Sequence, residues 1–180
     1  MHAPSTSLPP LQASHWFNSP APPTLDGLRG KVVAIHAFQM LCPACVAQAL
    51  PQASRLHDAF AGDDFAVIGL HTVFEHHAVM GAAALQAFIH EYRLRFPIGI
   101  DEADPRGPIP RTMAAWNLRG TPSLLLLDRD GALRLSHFGH IDDLLLGAMI
   151  GRLLQQAPRQ AAPAAGAGCD EHGCAVPGPA

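Results

Sequence analysis

The segment Lys31–Cys45, KVVAIHAFQMLCPAC, constrains this chain more than any other. Lys31–Phe38, KVVAIHAF, is a continuous β-branched run, the pattern of a strand buried on both faces. From Pro43 the period changes. Val46, Ala49, Leu50, Ala53, Leu56 and Phe60 recur at helical spacing. A buried strand running straight into a helix is the first half of a β-α-β unit. Two cysteines, Cys42 and Cys45, stand at the junction. Pro51 lies inside the helical pattern, where its missing N–H predicts a kink.

The rest of the chain continues the alternation. Phe65–Val73 reads as a second buried strand, and Leu85, Phe88, Ile89 and Tyr92 mark a second helix. Pro97–Ile100 is expected as a short strand and Arg111–Trp116 as a short helix. Ser123–Asp128 reads as a strand, Arg129-Asp130-Gly131 as a hairpin turn, and Ala132–Phe138 as its antiparallel return. Ile141, Leu144, Leu145, Ala148 and Met149 line one face of a last helix. Asp142 and Asp143 sit at its start, where the helix dipole favours negative charge. His15–Phe17 is a candidate edge segment. The order β-α-β-α-β, hairpin, α predicts an α/β fold. Its central sheet is mixed, with a parallel core and a C-terminal β-hairpin, and helices flank it.

The Pro/Ser-rich residues 1–13 are expected to be disordered, residues 14–157 to form one domain, and residues 158–180 to be a flexible Ala/Pro/Gly-rich tail carrying C-x4-C. A chain of 180 residues with 48% hydrophobic and 15% charged residues can build a core without disulfide staples. The formal net charge of −3 comes with no basic stripe, so no nucleic-acid or membrane partner is expected. The N-terminus, MHAPSTSLPPLQASHW, has no Lys or Arg and no continuous apolar core, so it does not read as a secretory signal. That points to the cytoplasm, or to the periplasm if a leader was trimmed. In a reducing compartment, cysteines are more often catalytic or metal-binding than structural.

Cys42 at a helix start would meet unpaired amide donors and a partial positive charge, which lower a thiol's pKa below its free value of about 8.5. Pro43 suits the first helical position. Cys45 follows one turn later on the same face, at a Cα separation of roughly 5–6 Å that permits a disulfide. This pattern suits an exposed attacking thiolate with a resolving thiol behind it. A zinc clip is the competing reading, but tetrahedral zinc needs a second ligand pair, and only Cys169 and Cys174 remain.

Taken together, LRGKVV, the apolar strand, CPAC and a kinked helix resemble the thioredoxin superfamily, and most closely the TlpA/ResA-type disulfide reductases and their redoxin relatives. The motif Gly120–Ser123, GTPS, strengthens the resemblance, which spans Leu25 to about Gln156. It implies a thioredoxin-like fold and a thiol–disulfide oxidoreductase, specifically a disulfide reductase, that uses no cofactor. Its partners would be a disulfide-containing protein or small-thiol substrate and an unidentified electron donor. The resemblance also implies that Pro122 is a cis-proline facing the cysteines, with Thr121 before it lining the substrate groove.

The chain departs from the family in three places. Leu41 replaces the usual tryptophan, Gln48 stands where many members have glutamate, and His36 stands where thioredoxins have a buried aspartate. His36 is therefore the candidate proton carrier, with a core histidine as the bland alternative. The peroxiredoxin relatives use PxxxTxxC, but the matching positions here hold Ile35 and Gln39.

Cys169 and Cys174 flank DEHG beyond the linker Ala157–Gly168, which would reach about 17–21 Å as a random coil. Three readings stand for them: a redox relay to Cys42–Cys45, metal capture by Cys169, His172 and Cys174, or an end that merely oxidises. His71, His76 and His77 read more readily as surface or loop residues than as a metal site. Trp16 and Trp116 read as packing or rim residues rather than catalytic ones.

Overall fold

Three parallel strands carry the site. The computed structural model describes residues 7–157, together with the backbone of a short ladder pairing Cys169–Asp170 with Gly173–Cys174. Strand β1 (Ala13–Phe17) is followed by β2 (Val32–Phe38), helix α1 (Leu50–Phe60), β3 (Phe65–His71), α2 (Ala82–Glu91) and β4 (Ile98–Asp101). Then come α3 (Arg111–Ala115), β5 (Ser123–Leu127), β6 (Leu133–Phe138) and α4 (Asp143–Leu154). The sheet order is β1-β4-β3-β2-β5-β6. Strands β2, β3 and β4 run parallel, while β1, β5 and β6 are antiparallel to their neighbours. This is the predicted mixed sheet, with the parallel core and the late hairpin in place.

Strand β2 is buried along its whole length, and so are the residues of β5. Side chains alternate across the sheet. Val32, Ala34 and Phe38 face one core with Leu50, Ala53, Leu56, Leu85, Ile89, Leu146, Ile150 and Cys45. Val33 and Ile35 face a second core with Ile68, Leu70, Trp116, Leu125 and Leu127. Gly69 in β3 has no room for a side chain: a Cβ there would lie 2.9 Å from Ile98 Cγ1 and 3.0 Å from the Phe96 ring. The hairpin turns at Gly131, whose φ of 73° is the left-handed region that glycine enters without a steric penalty. The Asp128 carboxylate accepts the Asp130 and Ala132 amides across that turn.

Three details differ from the sequence reading. Disorder was expected through Ala13, but the chain is pinned from Ser7 onward. Ser7 bridges to Ala132, the Trp116 indole donates to the Pro9 carbonyl at 2.9 Å, and Gln12 exchanges hydrogen bonds with the Thr112 hydroxyl. Leu8 and Leu11 also pack on the second core. Prolines remove donors but do not prevent an extended segment from docking. The buried face of α4 is also rotated. Leu146, Ile150 and Leu153 are inside, while Leu144 and Leu145 are 84% and 55% exposed. The run of three leucines leaves the phase ambiguous. The cap settles it, because Asp142 accepts the Leu144 and Leu145 amides and fixes where the helix begins. The kink expected at Pro51 takes the form of a widened turn over Cys45–Ala49, where the Leu50 amide reaches Cys45 O, five residues back. Pro51 then sits in the first turn of α1, where a missing donor costs little.

Candidate active site

Cys42 lies where β2 turns into the helical run that begins at Pro43. The Val46 amide bonds the Cys42 carbonyl at 3.1 Å, the first bond of that run. Cys42 is thus the helix cap, and its sulfur does what a capping oxygen does: it accepts the Cys45 amide at 3.3 Å. The thiol in turn donates to the Thr121 carbonyl at 3.6 Å. Both cysteines are free thiols. Cys42 is half-buried at the rim of a cavity, and Cys45 is fully buried beneath it.

Burial pushes the Cys45 thiol up to about 12, with its hydrogen bond to Cys42 adding to the effect. The Gln39 backbone and Thr121 act the other way. Cys45 is therefore held as a neutral thiol behind the more accessible Cys42. This asymmetry suits one sulfur to begin an exchange and the other to finish it.

Thr121–Pro122 is a cis peptide, as the resemblance implied, and it forms one wall of the site. The Pro122 carbonyl accepts the Gly139 amide, and the Ser123 hydroxyl donates to Gly120 O at 2.7 Å. These bonds tie the wall to the β5–β6 hairpin. His36 stands in the middle of β2 and shares the face of Ala34 and Phe38, the side of the sheet that buries Cys45. Its ring is 1% exposed, its Nε2 has no partner, and burial lowers its pKa to about 4. Gln48 lies exposed on the widened turn.

A cavity of about 310 Å³ opens beside Cys42, and the sequence reading missed its opposite wall. That wall is Phe74, Glu75, His76 and Val79, with buried Gln39 and exposed Leu41 also lining the cavity. Gln39 follows β2 and Phe74 follows β3. The register pairs Phe38 with His71, so the two parallel strands end side by side. Residues 35 apart in sequence therefore meet. The Gln39 amide oxygen accepts the Phe74 amide at 3.3 Å, and its nitrogen donates to Glu75 at 3.5 Å. The available signal was positional, since ligands bind where parallel strands end.

Of the other histidines, His71 is buried in the core against Phe38, with burial lowering its pKa to about 4. His76 and His77 are exposed. Among the described residues no cluster of three metal-ligating side chains forms. Trp116 is buried and Trp16 covers Gly99, so both tryptophans pack. The side chains of Cys169, His172 and Cys174, singled out as relay or metal ligands, lie outside the described residues.

The AhpC/TSA family model matches residues 2–136. The chain belongs to that family. It is a redoxin of the TlpA/ResA-like kind within the thioredoxin superfamily. The thioredoxin-like superfamily protein SPOA0173 is 55% identical, with a TM-score of 0.82 over 84% of this chain and 98% of that one. A thiol-disulfide isomerase from Corynebacterium glutamicum is 42% identical, with a TM-score of 0.81 over 86% of this chain and 99% of that one. A thioredoxin-like protein solved in its oxidised form shares the fold at 21% identity and a TM-score of 0.67, covering 82% of this chain and 94% of that one. No curated protein matches the chain. An oxidoreductase of the thiol–disulfide type follows from this membership.

Proposed function

We propose that this redoxin is a disulfide reductase whose working site is the Cys42–Cys45 pair. The observation that carries the reading is the asymmetry between the two sulfurs. Cys42 caps a helix and faces a cavity, while Cys45 is buried and held protonated. The Cys42 thiolate attacks one sulfur of a substrate disulfide, forming a mixed disulfide and releasing one thiolate, which takes up a proton. Cys45 then loses its proton and attacks Cys42 Sγ, forming Cys42–Cys45 and releasing the second substrate thiol. Two electrons pass from protein to substrate, and a donor thiol must return them. Thr121 and Pro122 line the groove that holds the substrate beside Cys42. We assign the exchange of the Cys45 proton to His36, whose Nε2 is unpaired on the same side of the sheet, although burial moves its titration from near neutrality down to about 4. The reducing direction fits a cytoplasmic setting.

A peroxidase reading lacks comparable support. At the place of the peroxide-holding threonine stands Gln39, whose amide is engaged by Phe74 and Glu75.

The tail pair is proposed as a relay to the same site. The short ladder sets Cys169 directly opposite Cys174. Cross-strand neighbours lie about 4.5–5.5 Å apart at Cα, within the range a disulfide needs.

Redox titration in glutathione buffers, followed by alkylation and peptide mass spectrometry, tests both parts. The Cys42–Cys45 pair should titrate as one two-electron couple, with Cys42–Cys169 or Cys42–Cys174 species at intermediate poise. Insulin reduction should vanish in Cys42→Ser, while Cys45→Ser should trap mixed disulfides. If Cys42 and Cys45 never pair, the exchange mechanism is wrong. Metal that co-purifies and is lost in the Cys169→Ser, Cys174→Ser protein would replace the relay with metal capture.

A further inference from the structure

The cavity beside Cys42 carries one feature that the exchange chemistry does not use, the Glu75 carboxylate. It lines the cavity together with the reactive cysteine and is exposed. The Gln39 side chain, 1% exposed, offers it a neutral amide at 3.5 Å, a long contact that leaves its charge uncancelled. Glu75 joins none of the ion pairs formed among the described residues. Around it the rim is apolar: Leu41 and Val79 are 55% and 60% exposed, and Phe74 lies between strand end and rim. An unpaired charge flanked by apolar surface is less screened than one in open water.

We propose that Glu75 is a specificity residue. It turns away disulfides that bring negative charge to the groove, of which oxidised glutathione is the simplest, and favours those with a positive charge next to the sulfur. The proposal rests on the reading of Cys42–Cys45 as an exchange site. During attack, negative charge spreads over three sulfurs whatever the substrate, so Glu75 opposes that part of the reaction equally for all of them. Only the substituents differ, and selection therefore appears in a ratio of rates. A unit charge several ångströms away in a partly shielded groove changes a rate by roughly 3- to 10-fold.

The test uses the reduced full-length protein and three small disulfides: cystamine (cationic), oxidised glutathione (anionic) and 2-hydroxyethyl disulfide (neutral). The rate of Cys42–Cys45 oxidation is measured with each, and the charged rates are divided by the same variant's neutral rate. In the parent protein the cystamine ratio should exceed the glutathione ratio. Glu75→Gln should narrow the gap about five-fold or more, Glu75→Lys should reverse it, and about 0.5 M salt should shrink the gap in the parent and in Glu75→Lys while changing it least in Glu75→Gln. His76 shares the wall, so the series is repeated in His76→Asn, because asparagine tolerates the left-handed backbone there (φ 52°). A gap that stays within two-fold across the Glu75 variants overturns the proposal. Failure of the neutral disulfide to oxidise the pair would instead overturn the exchange reading itself.

Discussion

The two faces of the central sheet are built from the same strands but carry different chemistry. One face, with Val33, Ile35, Ile68, Leu70, Leu125, Leu127 and Trp116, is an apolar scaffold against which residues 7–13 dock. The other carries Cys45 in its core and, by alternation along β2 and β3, His36 and His71 among apolar neighbours. Of the buried side-chain nitrogens without a partner among the described residues, His36 Nε2 and both of His71 lie on this second face. A buried polar atom without a partner costs about 1–3 kcal/mol. Three such atoms sit on the face that buries Cys45.

Substitutions that act on one face and spare the other sharpen this contrast. The largest stability effect belongs to the scaffold. Trp116→Ala removes a buried indole and its bond to Pro9 O, and should cost about 3–5 kcal/mol in denaturant unfolding. Disulfide exchange measured well below the unfolding transition should stay at the parent rate. A large loss of rate in a still-folded Trp116→Ala protein would mean the faces are coupled.

Next comes acid sensitivity of the chemical face. Burial holds His36 and His71 near 4, below the ordinary 6.5 of an unfolded histidine. The unfolded chain therefore binds more protons between pH 6.5 and 4, and stability must fall as pH falls through that window. The loss approaches roughly 3 kcal/mol per histidine by pH 4. Equilibrium unfolding against pH should show this slope, reduced by about one proton in His36→Leu and again in His71→Leu. An unchanged slope in both variants would place the acid limb elsewhere.

The smallest effect lies at the helix that covers the chemical face. Asp142→Ala removes the cap on α4 and should cost about 1 kcal/mol, with Asp142→Asn recovering most of it. Thermal melts would read this directly, and equal losses in both variants would argue against the cap.

Much of this architecture was legible in residue order. A β2 apolar except for His36 marked a central strand, and CPAC after it marked a helix start. The Asp-Gly turn marked the hairpin. The phase of α4 was not legible, because Leu144, Leu145 and Leu146 satisfy two faces equally well until Asp142 chooses the starting turn. Docking of residues 7–13 was also missed. Their proline content suggests disorder, and the groove that receives Leu8, Leu11 and the Pro9 carbonyl exists only once Trp116 is in place.

For the candidate site, sequence alone determined which two thiols stand together. Three-residue spacing and helix geometry are local, so Cys42 and Cys45 share a face wherever the rest of the chain goes. Only the tertiary structure decided what surrounds them. Burial raises Cys45, the Thr121 carbonyl arrives from the bend before β5, 79 residues away, and Glu75 reaches the groove because β2 and β3 end together. Those effects depend on distance through space and on exclusion of water, and neither quantity is written in the order of residues along the chain.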